Sequence, residues 1–340
     1  MKLTSGKLKG LTEVSDQRGV IAAAAMDQRG ALRSPLAKAA GVAPEAITDR
    51  QMSEFKCAVS KVLTPHASAI LLDPDWGLEA AKLRHKGAGL LLAYEKSGYD
   101  NTRPGRRPDL LPQVSVRRLR EMGASAVKLL LYYTPEEDAA VNDAKHAFVE
   151  RIGAECAAVD IPFFLEFVAY DPAGADEKGF AFSKKKPDMV TRSMEEFSKD
   201  RYGVDVMKVE VPVNLAFAEE ARCFTGPSAY TRQEALDHYR KAAAVARRPF
   251  IYLSAGVSNQ QFTESLEWAA ESGAKFSGVL CGRATWKDGI PVYARQGQAA
   301  LEKWLEGEGI ANIQAVNQCL TAAHPWFAFY GAKSPTELAA

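Results

Sequence analysis

The 340-residue chain has almost no excess charge of either sign: 43 lysines and arginines stand against 42 aspartates and glutamates, for a net +1. That balance supplies no global basic field for nucleic acid and no acidic surface, so any anion must be held by a local cluster. Cysteine is scarce and unpatterned. Cys57, Cys156, Cys223, Cys281 and Cys319 form no Cys-x-x-Cys pair, which argues against a disulfide or zinc framework and for reduced thiols in a cytosolic protein. His66, His85, His146, His238 and His324 lie far apart without a His-x-x-x-His pattern, so the ligands of a zinc-dependent carbonyl enzyme are missing. No Gly-x-Ser-x-Gly elbow supports a serine nucleophile. The opening "MKLTSGKLKG" lacks the apolar core of a signal peptide, and no run approaches the roughly 20 apolar residues that span a bilayer. These absences together lead one to expect a cytoplasmic protein without metal or cofactor.

What the chain does have is short apolar runs at regular intervals. Strands are expected in "VIAAAAMD" (20–27), "ASAILLD" (67–73), "AGLLLAYE" (88–95), "ASAVKLLLYY" (124–133), "IPFFLEFVAY" (161–170), "VDVMKVEV" (204–211), "PFIYLSAG" (249–256) and "FSGVLCGR" (276–283). Between most of them lie stretches with a period near 3.6, such as "DRQMSEFKCAVSKVL", "HAFVERIGAECAAV", "TRQEALDHYRKAAAVA" and "NQQFTESLEWAAESG". Near-continuous apolar strands alternating with helices imply a parallel sheet covered on both faces. Eight such units predict an α/β protein built as a (β/α)8 TIM barrel with extra C-terminal helices, residues 287–324, packed outside. A doubly wound open sheet is the alternative, weakened because no Gly-rich dinucleotide turn follows the first strand. With no linker or repeat, residues 1–340 are expected to form one domain.

The strands become informative where they break. Lys128 interrupts "ASAVKLLLYY", Glu166 "IPFFLEFVAY", Lys208 and Glu210 "VDVMKVEV", and Asp27 ends the first strand. Any one could be a structural ion pair, since an unpaired buried charge costs several kcal/mol. Together they can converge in one barrel mouth. There, desolvation and a second cation favour a neutral lysine, which is a nucleophile towards carbonyl carbon. A neighbouring carboxylate such as Glu166 can move the protons that Schiff-base formation requires.

The last two strands finish in "YLSAGVSNQ" and "LCGRATW". Small residues let an anion approach backbone N–H groups after Ser254 and Ala255, with Gly256 and Ser258 beyond, and Gly282 with Arg283 adds a charged fork. This suits phosphate bound after the seventh and eighth barrel strands. "DQRG" occurs twice: at 16–19 it reads as a turn, while at 27–30 it lies at the mouth, where Gln28 and Arg29 could reach substrate. Two polar loops, 96–110 and 174–188, carry charge runs that ordinarily mean solvated surface. Their placement after the third and fifth strands also suits a lid or a phosphate-steering role.

The stretches "DQRGAL", "LLDPDWGL", "LLLAYEKSGYD", "AVKLLLYY", "ERIGAEC", "IPFFLEFVAYD", "DVMKVEVPVN", "IYLSAGVS" and "GVLCGRATW" resemble, in order, the class I tagatose-1,6-bisphosphate aldolases. The resemblance covers nearly the whole chain. It implies a (β/α)8 barrel and metal-independent, reversible cleavage of a ketohexose bisphosphate to dihydroxyacetone phosphate and glyceraldehyde 3-phosphate. It further implies Lys208 as the Schiff-base lysine, Glu166 as acid/base, and Lys128 and Asp27 as polar partners. Ser254, Ala255, Gly282 and Arg283 would hold the C1 phosphate, and Gln28 and Arg29 the far end of the sugar. Glu210 is expected to pair with a cation at the mouth. The implied partner is a small phosphosugar, not nucleic acid or membrane, and the family is compatible with a homodimer. Aldolases of 6-deoxy-6-sulfofructose 1-phosphate or fructose 1,6-bisphosphate share this pattern. A phosphosugar-binding regulator on an aldolase scaffold would instead lack one of Lys208, Glu166 or Arg283.

Overall fold

The eight apolar runs form eight parallel strands in a computed structural model, which describes residues 2–100 and 102–340. Asn101, inside the basic loop 96–110, therefore lies outside the described residues, as does Met1. The strands are β1 (Ile21–Met26), β2 (Ala69–Leu72), β3 (Gly89–Ala93) and β4 (Ala126–Tyr132), then β5 (Phe163–Val168), β6 (Val206–Glu210), β7 (Phe250–Leu253) and β8 (Gly278–Cys281). They pair in chain order, and β8 closes on β1 to complete the barrel. Each expected strand is present, trimmed at its ends by one to three residues.

Helix α1 (Ser5–Glu13) precedes the barrel. Helices α2 (Gly30–Ala40) and α3 (Asp49–Leu63) follow β1, α4 (Leu78–Leu83) follows β2, and α5 (Val116–Glu121) follows β3. Further on come α6 (Ala139–Val159), α7 (Phe180–Phe197), α8 (Arg232–Ala244) and α9 (Asn259–Glu271). The chain then runs through α10 (Arg283–Trp286), α11 (Ile290–Trp304) and α12 (Ile310–Cys319). The starts of α3, α8 and α9 are written locally: Thr48, Thr231 and Ser258 each make a reciprocal capping box with Gln51, Glu234 and Gln261. No helix among the described residues is long and apolar enough to cross a membrane.

Alternation along the strands separates two apolar clusters. Ile21, Ala23, Ala25, Leu71, Leu91, Ala93, Phe164, Val206, Ile251 and Leu280 fill the barrel interior, while their immediate neighbours pack outward against helices. Leu11 of α1 and the segment around Trp326 and Leu338 join the interior cluster, with the Leu3 N–H donating to Leu338 at 2.8 Å. The C-terminal helices thus lie outside as expected, but the chain beyond them returns to join the barrel core. Asp27, Glu95, Lys128, Glu166, Lys208 and Glu210 share the interior parity, one or two steps further along their strands than the apolar fill. The barrel is apolar below and ionic at its C-terminal mouth.

Candidate active site

Five strand ends bring their charges together. The ammonium of Lys128 lies 2.8 Å from each of three carboxylates, those of Asp27, Glu95 and Glu166. On the neighbouring strand Glu166 stands in register with Lys208, and the Lys208 ammonium donates to Glu166 Oε2 at 2.9 Å. That same oxygen is the one Lys128 approaches. The two lysines therefore share one carboxylate, but their surroundings differ. Lys128 pairs with three carboxylates, donating hydrogen bonds to Asp27 and Glu95, and is 1 % exposed. Lys208, also buried, has Glu166 as its one ion-pair partner among the described residues.

Burial alone would push the Asp27 and Glu166 carboxyls up; Lys128 first and Lys208 second outweigh it, holding both below the usual carboxylate range. Burial likewise opposes the charge on Lys128, yet Asp27, Glu166 and Glu95 hold its ammonium well above the ordinary lysine value. The linkage follows in sign. Depressed carboxylates contribute stability that is complete above their unfolded values, near 4 to 4.5, and is lost as pH falls through the lower native ones. The Lys128 contribution is complete below about 10.4 and is lost as pH rises through its raised native value. Urea midpoints are therefore expected to hold level through neutral pH and to fall steeply below about pH 4, and a Lys128→Met chain should lose most of the cluster's share of that acid dependence.

Several of these groups escaped the sequence reading. Glu95 bridges Lys128 and the Leu130 N–H, the latter at 3.0 Å. Its backbone carbonyl accepts from Arg29 at 2.6 Å. Lys56 of α3, fully buried, donates to the carbonyls of Met26 and Gln28 at 2.8 Å and pairs with Asp73 at 2.6 Å. It thereby fixes the backbone on both sides of Asp27. Glu95 ends an apolar strand as Asp27 does, and that signal could have found it. Nothing in the amphipathic pattern of α3 singles out Lys56.

Gln28 and Arg29, expected at one end of the sugar, point apart. The Arg29 guanidinium is buried and engaged by Asp75 at 3.1 Å and by the Glu95 carbonyl. Gln28 lies beside Gly282: a Cβ on that glycine would come within 3.2 Å of the Gln28 side-chain nitrogen, and Gln28 Oε1 is buried without a partner. The loops after β7 and β8 do meet. Ala255 and Gly256 both take positive φ, +47° and +78°, and a Cβ on Gly256 would fall 2.7 Å from the Arg283 guanidinium carbon. Only glycine allows that approach, and a left-handed alanine is a strained conformation of the kind that gathers at ligand sites. Burial pushes the Cys281 thiol up to about 12, against a hydrogen bond from Ser254 and the charge of Lys208, so this corner adjoins the lysine pair.

The segment 174–188 departs from expectation. Its second half is the start of α7, and its three lysines are engaged: Lys184 lies over the Phe180 ring, Lys185 beside Asp171 and Glu136, and Lys186 3.0 Å from Glu210. Glu210 thus finds its cation in Lys186 and also accepts the Ala169 N–H. The described residues of the 96–110 segment fold back on one another, Asp100 opposite Arg107 and Glu95 opposite Leu110. The first "DQRG" is a turn, closed by the Gly19 N–H on the Asp16 carbonyl.

Residues 21–288 match the family model described as DeoC/LacD family aldolase. The chain belongs to that aldolase family. It is 51 % identical to tagatose 1,6-diphosphate aldolase 2 of Enterococcus faecalis, over 96 % of this chain and 98 % of that one. It is 48 % identical to the tagatose 1,6-diphosphate aldolase of Listeria monocytogenes serotype 4b, over 97 % and 96 %. Among solved structures, fructose-bisphosphate aldolase from Plasmodium falciparum superposes with a TM-score of 0.64 at 14 % identity, covering 93 % of this chain and 96 % of that one. At that identity the likeness speaks for the barrel alone. The ionic mouth lies at the C-terminal face of the barrel, the face on which barrels of this architecture carry their active sites.

Proposed function

We propose that the chain is a class I aldolase that reversibly cleaves D-tagatose 1,6-bisphosphate to dihydroxyacetone phosphate and D-glyceraldehyde 3-phosphate, its 340 residues acting as one domain. The observation that carries the mechanism is the unequal lysine pair: Lys128 is locked as a cation by three carboxylates, while Lys208 has Glu166 as its one ion-pair partner among the described residues. Sequence spacing left the choice between them open. Tagatose bisphosphate as substrate rests on relatives at 48 to 51 % identity over nearly the full chain.

Lys208 passes a proton to Glu166, 2.9 Å away, and the free amine adds to the C2 carbonyl. Glu166 returns that proton to the C2 hydroxyl, which leaves as water and yields an iminium. The iminium withdraws electrons from C3, so the C3–C4 bond breaks as the C4 hydroxyl gives its proton to Glu166, ionised again by the dehydration, and glyceraldehyde 3-phosphate departs; that proton is the one the enamine takes back. The enamine left on Lys208 takes a proton at C3, and water then releases dihydroxyacetone phosphate. Lys128 stays charged and holds Asp27 and Glu166 in place across the mouth. The paired loops at Ser254–Gly256 and Gly282–Arg283 suit the C1 phosphate, which fixes the reacting carbons over Lys208 from a distance.

Borohydride reduction in the presence of dihydroxyacetone phosphate is expected to leave a single adduct, on the peptide containing Lys208. Cleavage should be fastest with the tagatose bisphosphate, slower with its fructose epimer and with 6-deoxy-6-sulfofructose 1-phosphate. An adduct elsewhere would overturn the mechanism; a faster rate with either rival would reassign the substrate and leave the mechanism standing.

A further inference from the structure

A cavity of about 560 Å³ opens between the folded-back 96–110 segment and α6. Its walls carry Lys96, Arg103, Arg107, Lys145 and Arg151, against the carboxylates of Asp100 and Asp109. None of the lining residues comes from a barrel strand or from the proposed catalytic set. An excess of cations in a concave site raises the local concentration of anions. Most of this charge is not consumed internally. Asp109 reaches Lys96 only at 3.7 Å and Asp100 reaches Arg103 at 3.6 Å, while Arg107 Nε is buried without a hydrogen-bond partner among the described residues.

Lys145 is the least expected member. It is 1 % exposed and donates to the Tyr170 hydroxyl at 2.9 Å, and it makes no ion pair among the described residues. Burial pushes its amine down to about 7 despite the pull of Glu137, and Arg107 and Arg106 push it the same way. An anion entering the cavity would oppose all three downward effects and restore the charge. A cation-rich wall with an unpaired guanidinium nitrogen and an under-compensated buried lysine lacks its negative partner. Arginine forks suit the bidentate oxygens of a phosphate, and the aromatic rings of Tyr99 and Phe148 on the same walls suit an organic body attached to it.

We propose that this cavity is a second anion-binding site, distinct from the catalytic mouth, that takes a phosphorylated small molecule. Binding there would hold the 96–110 segment in place. That segment already reaches the mouth through Arg106, which lies 4.7 Å from the Tyr170 ring and 5.5 Å from that of Tyr132, the last residue of β4, and pairs with Glu177 at 2.5 Å. The site does not depend on the aldolase reading, because its residues take no part in that chemistry.

The test uses inorganic pyrophosphate as the probe, titrated calorimetrically into the full chain. An Arg283→Ala variant removes the guanidinium of the proposed catalytic phosphate loops and should still bind pyrophosphate. A variant carrying Arg103→Ala and Arg151→Ala together, both at exposed positions where folding is not at stake, should weaken the remaining binding at least tenfold. Cleavage by that double variant, assayed without pyrophosphate, should stay within a factor of two or three of the parent. Loss of all pyrophosphate binding in Arg283→Ala would overturn the proposal, as would undiminished binding in the double variant. Whether borohydride traps an adduct on Lys208 is read separately, so failure of one proposal is not mistaken for failure of the other.

Discussion

A Lys208→Met chain is expected to lose cleavage by about four orders of magnitude or more in kcat, the scale seen when a covalent nucleophile is removed. Methionine nearly matches the volume of the lysine stem and places no new polar atom among Val206, Ile251 and Leu280. Glu166 keeps its contact with Lys128 at 2.8 Å, so the carboxylate is not left as a lone buried charge. The fold should therefore survive, with a melting temperature close to that of the parent. Borohydride should trap nothing on the variant, although dihydroxyacetone phosphate should still bind through the Ser254–Gly256 and Gly282–Arg283 loops. A matching Lys128→Met substitution separates the two lysines. It strips Asp27, Glu95 and Glu166 of their shared cation, so it should cost stability, about 3–5 kcal/mol for breaking a buried ionic network. Some trapping at Lys208 should persist. Residual cleavage by Lys208→Met within tenfold of the parent, in protein free of wild-type carry-over, would shift the nucleophile to another residue.

The barrel was legible because its strands are buried on both faces, and such strands read as short continuous apolar runs whatever their neighbours do. The catalytic candidates were legible for the converse reason. A lysine inside "AVKLLL" or "VMKVEV" contradicts its surroundings, and parity then assigns it to the interior with Ala126 or Val206. What stayed hidden has physical causes of its own. Lys56 sits in a helix already rich in polar residues, and only the depth of α3 against β1 reveals that its amine holds the carbonyls of Met26 and Gln28. The start of α7 is hidden because its run of three lysines ordinarily means a solvated loop, and Gly174, Gly179 and Pro187 punctuate the segment. Proline usually breaks a helix by removing a donor and crowding the preceding turn, but here helix continues through Pro187. Arg106 lies in a polar loop, and nothing local announces that the rings of Tyr132, the last residue of β4, and Tyr170, two residues past β5, lie beside it. Gln28 and Arg29 are adjacent in sequence yet face opposite neighbours, because successive residues beyond a strand end diverge. Motif proximity could not distinguish them.

Glu166 is where the charge arrangement becomes chemistry, and Glu166→Gln is expected to lower kcat by about 10² to 10⁴, the range over which a positioned acid or base contributes. The amide keeps the shape and can still accept from one lysine, so ground-state binding should change little and KM should stay within a few-fold. What it cannot do is take the proton that Lys208 must lose and give it back to the departing hydroxyl. Trapping should therefore become slow without moving: the adduct still forms on Lys208, at a rate reduced in step with kcat. The ionised carboxylate that does this work exists only because of its neighbours. Burial favours the neutral acid, and Lys128 and Lys208 together reverse that preference. Neutralising the residue leaves the two ammonium groups on either side of an uncharged amide, so part of the lost rate reflects a changed field as well as a missing proton carrier. Glu166→Asp separates the two contributions, since it restores the charge while withdrawing the oxygens by one methylene. If the aspartate chain recovers stability but not rate, the position of the proton carrier is decisive. Recovery of both would place the main effect in the field. An unchanged kcat in the glutamine chain would remove Glu166 from the mechanism altogether.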